Sequence, residues 1–120
     1  MDLTGQVASE SIRHRQYSGT GGQVNFIWGA HFSKGGKSIL ALNSSFTDQD
    51  GKLKSRVVPF LPAGTIVSTS RNDVEYVVTE YGVANLRFKS VSERIKEMIS
   101  IAHPQFRDEL RFQAQKIGWV

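Results

Sequence analysis

Val74-Glu75-Tyr76-Val77-Val78-Thr79 is followed, after a short connection, by Ser90-Val91-Ser92-Glu93-Arg94-Ile95-Lys96-Glu97-Met98-Ile99-Ser100-Ile101-Ala102. The first run is dense in β-branched and aromatic residues, which suit a pleated, half-buried surface. The second opens as a capping box: the Ser90 hydroxyl and the Glu93 carboxylate are placed to satisfy each other's backbone N–H groups. Val91, Ile95, Met98, Ile99 and Ala102 then recur at helical spacing and form one apolar stripe. Pro104 suits the first position of another helix, whose inner face would be Phe106, Leu110, Ala114 and Ile117 before Gly118 ends it. Both helices are packing elements and carry no chemistry.

Ahead of this stretch, Ser38-Ile39-Leu40-Ala41-Leu42 is short, apolar and bounded by breakers, which predicts a buried strand. Asp50-Gly51 is a turn signal between Ser45-Phe46-Thr47 and Leu53-Lys54-Ser55-Arg56-Val57-Val58, which predicts a hairpin. Thr65-Ile66-Val67-Ser68-Thr69 is expected as a further strand, with Arg71-Asn72-Asp73 turning into the next, and Tyr81-Gly82-Val83-Ala84 as a short turn of helix. Residues 1–16 show no clear period. Strands mixed with helices over short connections predict an α/β layered domain. With few helices between Gly36 and Thr79, its open sheet should be mixed, not purely parallel, and flanked by helices.

Chemistry, if present, concentrates in Tyr17-Ser18-Gly19-Thr20-Gly21-Gly22-Gln23-Val24-Asn25-Phe26. Three glycines in four residues let the backbone bend sharply and approach a ligand closely. Val24, Ile27, Trp28 and His31 follow at helical spacing, so a helix should open near Gly22 and end at Lys34-Gly35-Gly36-Lys37. Backbone N–H groups at such a junction are unpaired and sit at the positive end of the helix dipole. They suit a phosphate, or a carbonyl oxygen gaining negative charge. The spacing is neither the dinucleotide fingerprint nor a nucleoside-triphosphate loop. Taken alone, it fits a tight turn as well as a ligand-binding loop.

The 120 residues fit one domain, and the 39% hydrophobic content leaves room for a domain that leans on a partner. No run approaches the length of a membrane span, and with no cysteine there is neither a disulfide nor thiolate chemistry. A cytoplasmic location is expected. The net charge of +4 is scattered over Arg13, Arg15, Lys34, Lys37, Lys52, Lys54, Arg56, Arg87 and Lys89, not gathered on one face. An anionic small ligand accounts for it better than nucleic acid, which calls for concentrated charge with interleaved aromatics.

Six blocks in order carry a family likeness: Met1-Asp2-Leu3-Thr4-Gly5-Gln6-Val7, Tyr17 to Gln23, Ser33-Lys34-Gly35-Gly36-Lys37, Ser55-Arg56-Val57-Val58-Pro59, Val77-Val78-Thr79-Glu80-Tyr81-Gly82-Val83-Ala84 and Ile101-Ala102-His103-Pro104. Over essentially its whole length the chain resembles the C-terminal part of the acetyl-CoA hydrolase/transferase family, which includes 4-hydroxybutyrate, butyrate and succinate:acetate CoA-transferases. The resemblance implies the open-sheet CoA-transferase fold in two similar halves, usually as a homodimer. It implies acyl-CoA and carboxylate substrates, coenzyme A as the carried group, and no metal. It also implies a ping-pong exchange through acyl-glutamyl anhydride and glutamyl-CoA intermediates, each step passing an oxyanion. Carried over residue by residue, Gly22 takes the position whose N–H meets that oxyanion. Ser18 matches a CoA-contacting position, and Gly19, Gly21 and Gln23 shape the rest of the CoA loop.

Some positions depart from the family. The nucleophilic glutamate of relatives lies in a His-Ser/Thr-Glu triplet, and this chain has none, so the resemblance leads us to expect it in an N-terminal half outside these residues. Glu80 in Thr79-Glu80-Tyr81-Gly82 is a poor substitute, expected instead to cap the following turn. Glu93 is committed to its helix cap, and Glu97 and Glu109 should be solvated. Trp28 stands where relatives usually carry arginine, and Arg13 replaces a small residue. His103 is expected to cap the last helix, His14 and His31 show no metal-ligand spacing, and Tyr17 and Trp28 are expected as packing residues.

Overall fold

The Ser90 capping box forms as the sequence requires: Glu93 N–H donates to Ser90 Oγ, and Ser90 N–H donates to the Glu93 carboxylate at 2.8 Å. In this computed structural model, which describes residues 1–120, the helix it starts runs Val91–Ile101 and buries Ile95, Met98 and Ile99 on its apolar stripe. Pro104 begins a 3-10 turn, Pro104–Phe106, that leads into the helix Arg107–Lys116. The His103 ring caps this turn by accepting the Gln105 N–H. Leu110 and Ala114 are buried and Phe106 packs against the core, whereas Ile117 lies beyond the helix end and is 40% exposed.

The strands, numbered in chain order, are β1 (Ser11–Ile12), β2 (Arg15–Gln16), β3 (Ile39–Ala41), β4 (Ser45–Thr47), β5 (Leu53–Ser55), β6 (Tyr76–Thr79) and β7 (Gly82–Asn85). The helices are α1 (Gln23–Phe32), α2 (Val91–Ile101) and α3 (Arg107–Lys116). β3, β6 and β7 form an open mixed sheet in that order, β3 parallel to β6 and β6 antiparallel to β7. β1–β2 and β4–β5 are separate antiparallel hairpins, the latter turning at Asp50-Gly51 as expected. Leu40, Val77 and Ala84 stand in register and belong to the core or pack on it, with Leu86, α2 and α3 closing that side.

Three expectations need correction. Tyr81–Ala84 is not a turn of helix: Gly82–Asn85 is β7, joined to β6 through Glu80 and Tyr81. Gly82 sits at φ +143, which a glycine accepts at little cost. After it, Ala84 and Leu86 point inward while Val83 and Asn85 point out, a period of two too short to register in the sequence. Thr65–Thr69 is not a strand either. It forms no ladder: its backbone makes the isolated bridge Thr69–Val7, the Ser68 N–H bonds Val7 O and the Ile66 N–H bonds Ser11 Oγ, while Ile66 and Val67 stay exposed. Finally, β3 is a strand but not a buried one, since Ile39 is 59% exposed.

The N-terminal segment, silent in period, is held by a side chain. Asp2 is buried and accepts the Thr4 N–H, Thr4 hydroxyl, Gln6 N–H and Gln6 side-chain amide at 2.6–3.0 Å. This knot places Leu3 in the core and starts the path toward the glycine loop.

Candidate functional site

The loop is assembled from its upstream side. Glu10 is only 5% exposed, and its backbone carbonyl accepts the N–H groups of Tyr17 and Ser18 at 2.8 and 3.3 Å. Its carboxylate accepts the Gln16 side-chain amide at 2.8 Å, and that same amide donates to Ser18 O. The β1–β2 hairpin, turning at Arg13 with φ +55, thus delivers the chain to Ser18 in a fixed direction. Sequence inspection gave no sign of Glu10's part, because its partners are set by the hairpin's closure.

Beyond Ser18 the backbone N–H groups have no internal partners. The N–H groups of Gly19, Thr20, Gly21 and Gly22 donate to nothing in the chain. Gly21 adopts φ +57, and Gly22, at φ −95 and ψ 5, is the N-cap of α1 with no side chain capping it. Its carbonyl accepts the Phe26 N–H at 3.0 Å, so the helix starts where the sequence predicts. A Cβ at Gly19 or Gly21 would meet no atom within 4 Å, and one at Gly22 would touch only the Phe26 ring at 3.4 Å. The loop is an open row of donors ahead of a ten-residue helix, an arrangement suited to an oxyanion or phosphate.

Gln23 is the loop's anchor from below. It accepts the Ser9 hydroxyl at 2.6 Å and donates to Thr69 Oγ1 at 2.9 Å, so its side chain turns to the protein and not to the open side. The Ser18 hydroxyl bonds locally to Gly19 O at 3.1 Å and is exposed. Trp28 and Tyr17 are surface residues instead of packing residues: the Trp28 indole N–H reaches Asp73 at 3.2 Å, and Arg15 lies 5.2 Å over the Tyr17 ring.

Glu80 does not cap the turn that follows it; the Thr79 hydroxyl accepts the Tyr81 N–H instead. The Glu80 carboxylate accepts the hydroxyl of the fully buried Ser44 at 2.6 Å and its N–H at 2.9 Å. These bonds, the hydroxyl's first, hold its carboxyl below the usual glutamate range. Glu75 gathers Ser38 N–H at 3.1 Å, Arg87 at 3.6 Å and His31 at 3.7 Å, tying the end of α1 to the sheet. Glu97 pairs with Lys89, and Glu109 accepts the Gln113 amide. No group of three or more His, Cys, Asp or Glu is placed to hold a metal ion, and no helix is long and apolar enough to cross a membrane.

Known proteins resemble this chain in sequence and fold. The chain is 54% identical to the 4-hydroxybutyrate coenzyme A transferase of Clostridium kluyveri, over 97% of this chain and 26% of that enzyme. It is 47% identical to the butyryl-CoA:acetate CoA-transferase of Anaerostipes caccae, again over 97% and 26%. The crystal structure of RipA from Yersinia pestis superposes with a TM-score of 0.86 at 44% identity, covering all of this chain and 26% of RipA. The chain spans about a quarter of the length of the relatives it matches. Residues 1–114 match the family domain described as the acetyl-CoA hydrolase/transferase C-terminal domain. With that match, these identities and this shared fold, the chain belongs to the acetyl-CoA hydrolase/transferase family.

Proposed function

We propose that these residues form the CoA loop and oxyanion donor of an acyl-CoA:carboxylate CoA-transferase. The observation that carries the proposal is the row of four unengaged N–H groups from Gly19 to Gly22, ending at the uncapped start of α1. Gly22 donates its N–H to the thioester oxygen as that oxygen gains charge, and the dipole of α1 adds to the stabilisation. Ser18, Gly19 and Gly21 line the approach of coenzyme A, and the lack of a nearby atom at Gly19 and Gly21 leaves that approach open. Gln23 fixes the loop without touching the ligand. The nucleophilic glutamate, with its anhydride and glutamyl-CoA intermediates, belongs to the portion of the enzyme that this chain does not span. The 120 residues are one domain of the C-terminal half, and the complete enzyme is a cytoplasmic homodimer.

Two measurements test this. In an NMR titration with coenzyme A, the amide signals of Gly19, Gly21 and Gly22 should shift together; binding that moves other amides and leaves these in place would overturn the site. In a CoA-transfer assay with acetyl-CoA and a carboxylate acceptor, the 120-residue chain alone should bind coenzyme A weakly and turn nothing over. Turnover that vanishes in Glu80→Gln would instead place the nucleophile inside this chain. Once activity is reconstituted with the complementary portion of a relative, the products with and without an acceptor acid separate transfer from hydrolysis.

A further inference from the structure

α2 and α3 pack against each other, and the seam between them opens into a cleft of about 480 Å3. Helical spacing builds its walls. Lys96 and Ser100 lie one turn apart on α2, and Arg107, Arg111 and Gln115 recur at successive turns of α3, so each set shares a helix face and the two faces meet. Ile99, which is buried, and Val120 supply the apolar part of the lining.

Arg107 is the fixed point of this cleft. It is half-buried, its Nε–H donates to Ala102 O at 2.9 Å, and its guanidinium lies 5.5 Å from the centre of the Tyr81 ring. These contacts hold the guanidinium plane without using a carboxylate. No acid lies within ion-pair distance of Arg107 or Lys96, and the terminal carboxylate of Val120 pairs with none of the cations. Arg111 does pair with Asp108, at 2.8 Å, but the Asp108 side chain is almost wholly exposed and leaves Arg111 donors for a second partner. A half-buried guanidinium held in place without a counter-ion carries a desolvation cost that an anion in the cleft would offset.

We propose that this cleft binds a small phosphate ester at a site separate from the glycine loop. An ammonium and two guanidinium forks converge there, more donors than a single carboxylate can use and suited to the several oxygens of a phosphate. The organic part of the ester meets Ile99 and the Val120 side chain. The Ser100 hydroxyl donates to Glu97 O at 2.7 Å, which leaves its oxygen to accept from a hydroxyl of the ligand. The volume is in the range of small-molecule sites. The two sites stand apart in the fold: α2 packs on β7, at the margin of the sheet opposite β3, whereas α1 lies along β3. The inference holds whatever the glycine loop binds.

The test titrates the 120-residue chain with AMP, inorganic phosphate and adenosine, followed by amide NMR and calorimetry. AMP should move the amides of Ser100, Arg111 and Gln115 saturably, bind more tightly than inorganic phosphate, and weaken as salt is raised; adenosine should not bind. Lys96→Gln and Arg111→Gln should each weaken AMP at least about tenfold with thermal unfolding near that of the parent. Lys116→Gln, on α3 but outside the cleft, should leave binding unchanged. Coenzyme A also carries phosphate esters, so the AMP titration is repeated with coenzyme A saturating, and the same shifts at the cleft are expected. No saturable binding, AMP no tighter than inorganic phosphate, or Lys116→Gln as damaging as Lys96→Gln would each overturn the proposal. Shifts that coenzyme A abolishes would make the cleft part of the coenzyme A site and overturn it as a separate one.

Discussion

Replacing Gln23 separates what holds the glycine loop from what the loop binds. In the folded chain the Gln23 amide bridges the Ser9 hydroxyl and Thr69 Oγ1, at 2.6 and 2.9 Å. Gln23→Leu removes both bonds and leaves the hydroxyl of Thr69, 1% exposed, without this donor. A net hydrogen bond contributes about 1 kcal/mol, and a buried group left unpaired costs about 1–3 kcal/mol. Ser9 faces solvent and recovers water, so the loss should be ~1–2 kcal/mol. Gln23→Glu behaves differently, because both hydroxyls can turn to donate to a carboxylate and a negative charge in the first turn of α1 favours the dipole by ~0.3–1 kcal/mol. Its stability should stay within about 0.5 kcal/mol of the parent, while the new charge beside the donor row should weaken coenzyme A binding. Urea unfolding followed by circular dichroism gives the first quantity, and calorimetric titration with coenzyme A gives the second. A Gln23→Leu chain as stable as the parent, or a Gln23→Glu chain that binds coenzyme A more tightly, would refute the assignment of Gln23 as an inward anchor below an anion-binding loop.

Asp2→Ala strips four hydrogen bonds from a buried turn and should cost ~2–4 kcal/mol in the same urea experiment. Asp2→Asn keeps an acceptor for the Thr4 and Gln6 N–H groups and should cost only about 1 kcal/mol; the reverse order would deny the knot its role. Glu80 titrates low because Ser44 bonds its charged form, through the hydroxyl first and the amide second. The folded state therefore holds that proton more weakly than the unfolded chain. The stability from this contact is complete above the ordinary glutamate range and is lost as pH falls through the lowered folded value. Ser44→Ala should move the Glu80 midpoint, followed by carbon-detected NMR, upward toward the ordinary value, and an unchanged midpoint would show that the hydroxyl is not the cause.

The sequence by itself determined what is local. The α2 cap, the Pro104 start, the Asp50-Gly51 hairpin and the opening of α1 at Gly22 each depend on residues a few positions apart, so their bonds are written into short spacings. The six family blocks were legible for the same reason, and they identified the loop that the structure shows with its donors free.

Tertiary structure decided everything that joins distant segments. Gln23 and Thr69 are 46 positions apart and Ser44 and Glu80 are 36 apart, so neither bond leaves a trace in local pattern. β7 looked helical because four residues are too few to distinguish a period of two from a turn, and only pairing with β6 fixed it. Thr65–Thr69 had the composition of a strand without a neighbour to form a ladder, and β3 had the composition of a buried strand without a layer above it. Strand character in a sequence records how well side chains fit a pleated surface. Whether another strand or a covering layer is there to use that fit depends on the rest of the fold.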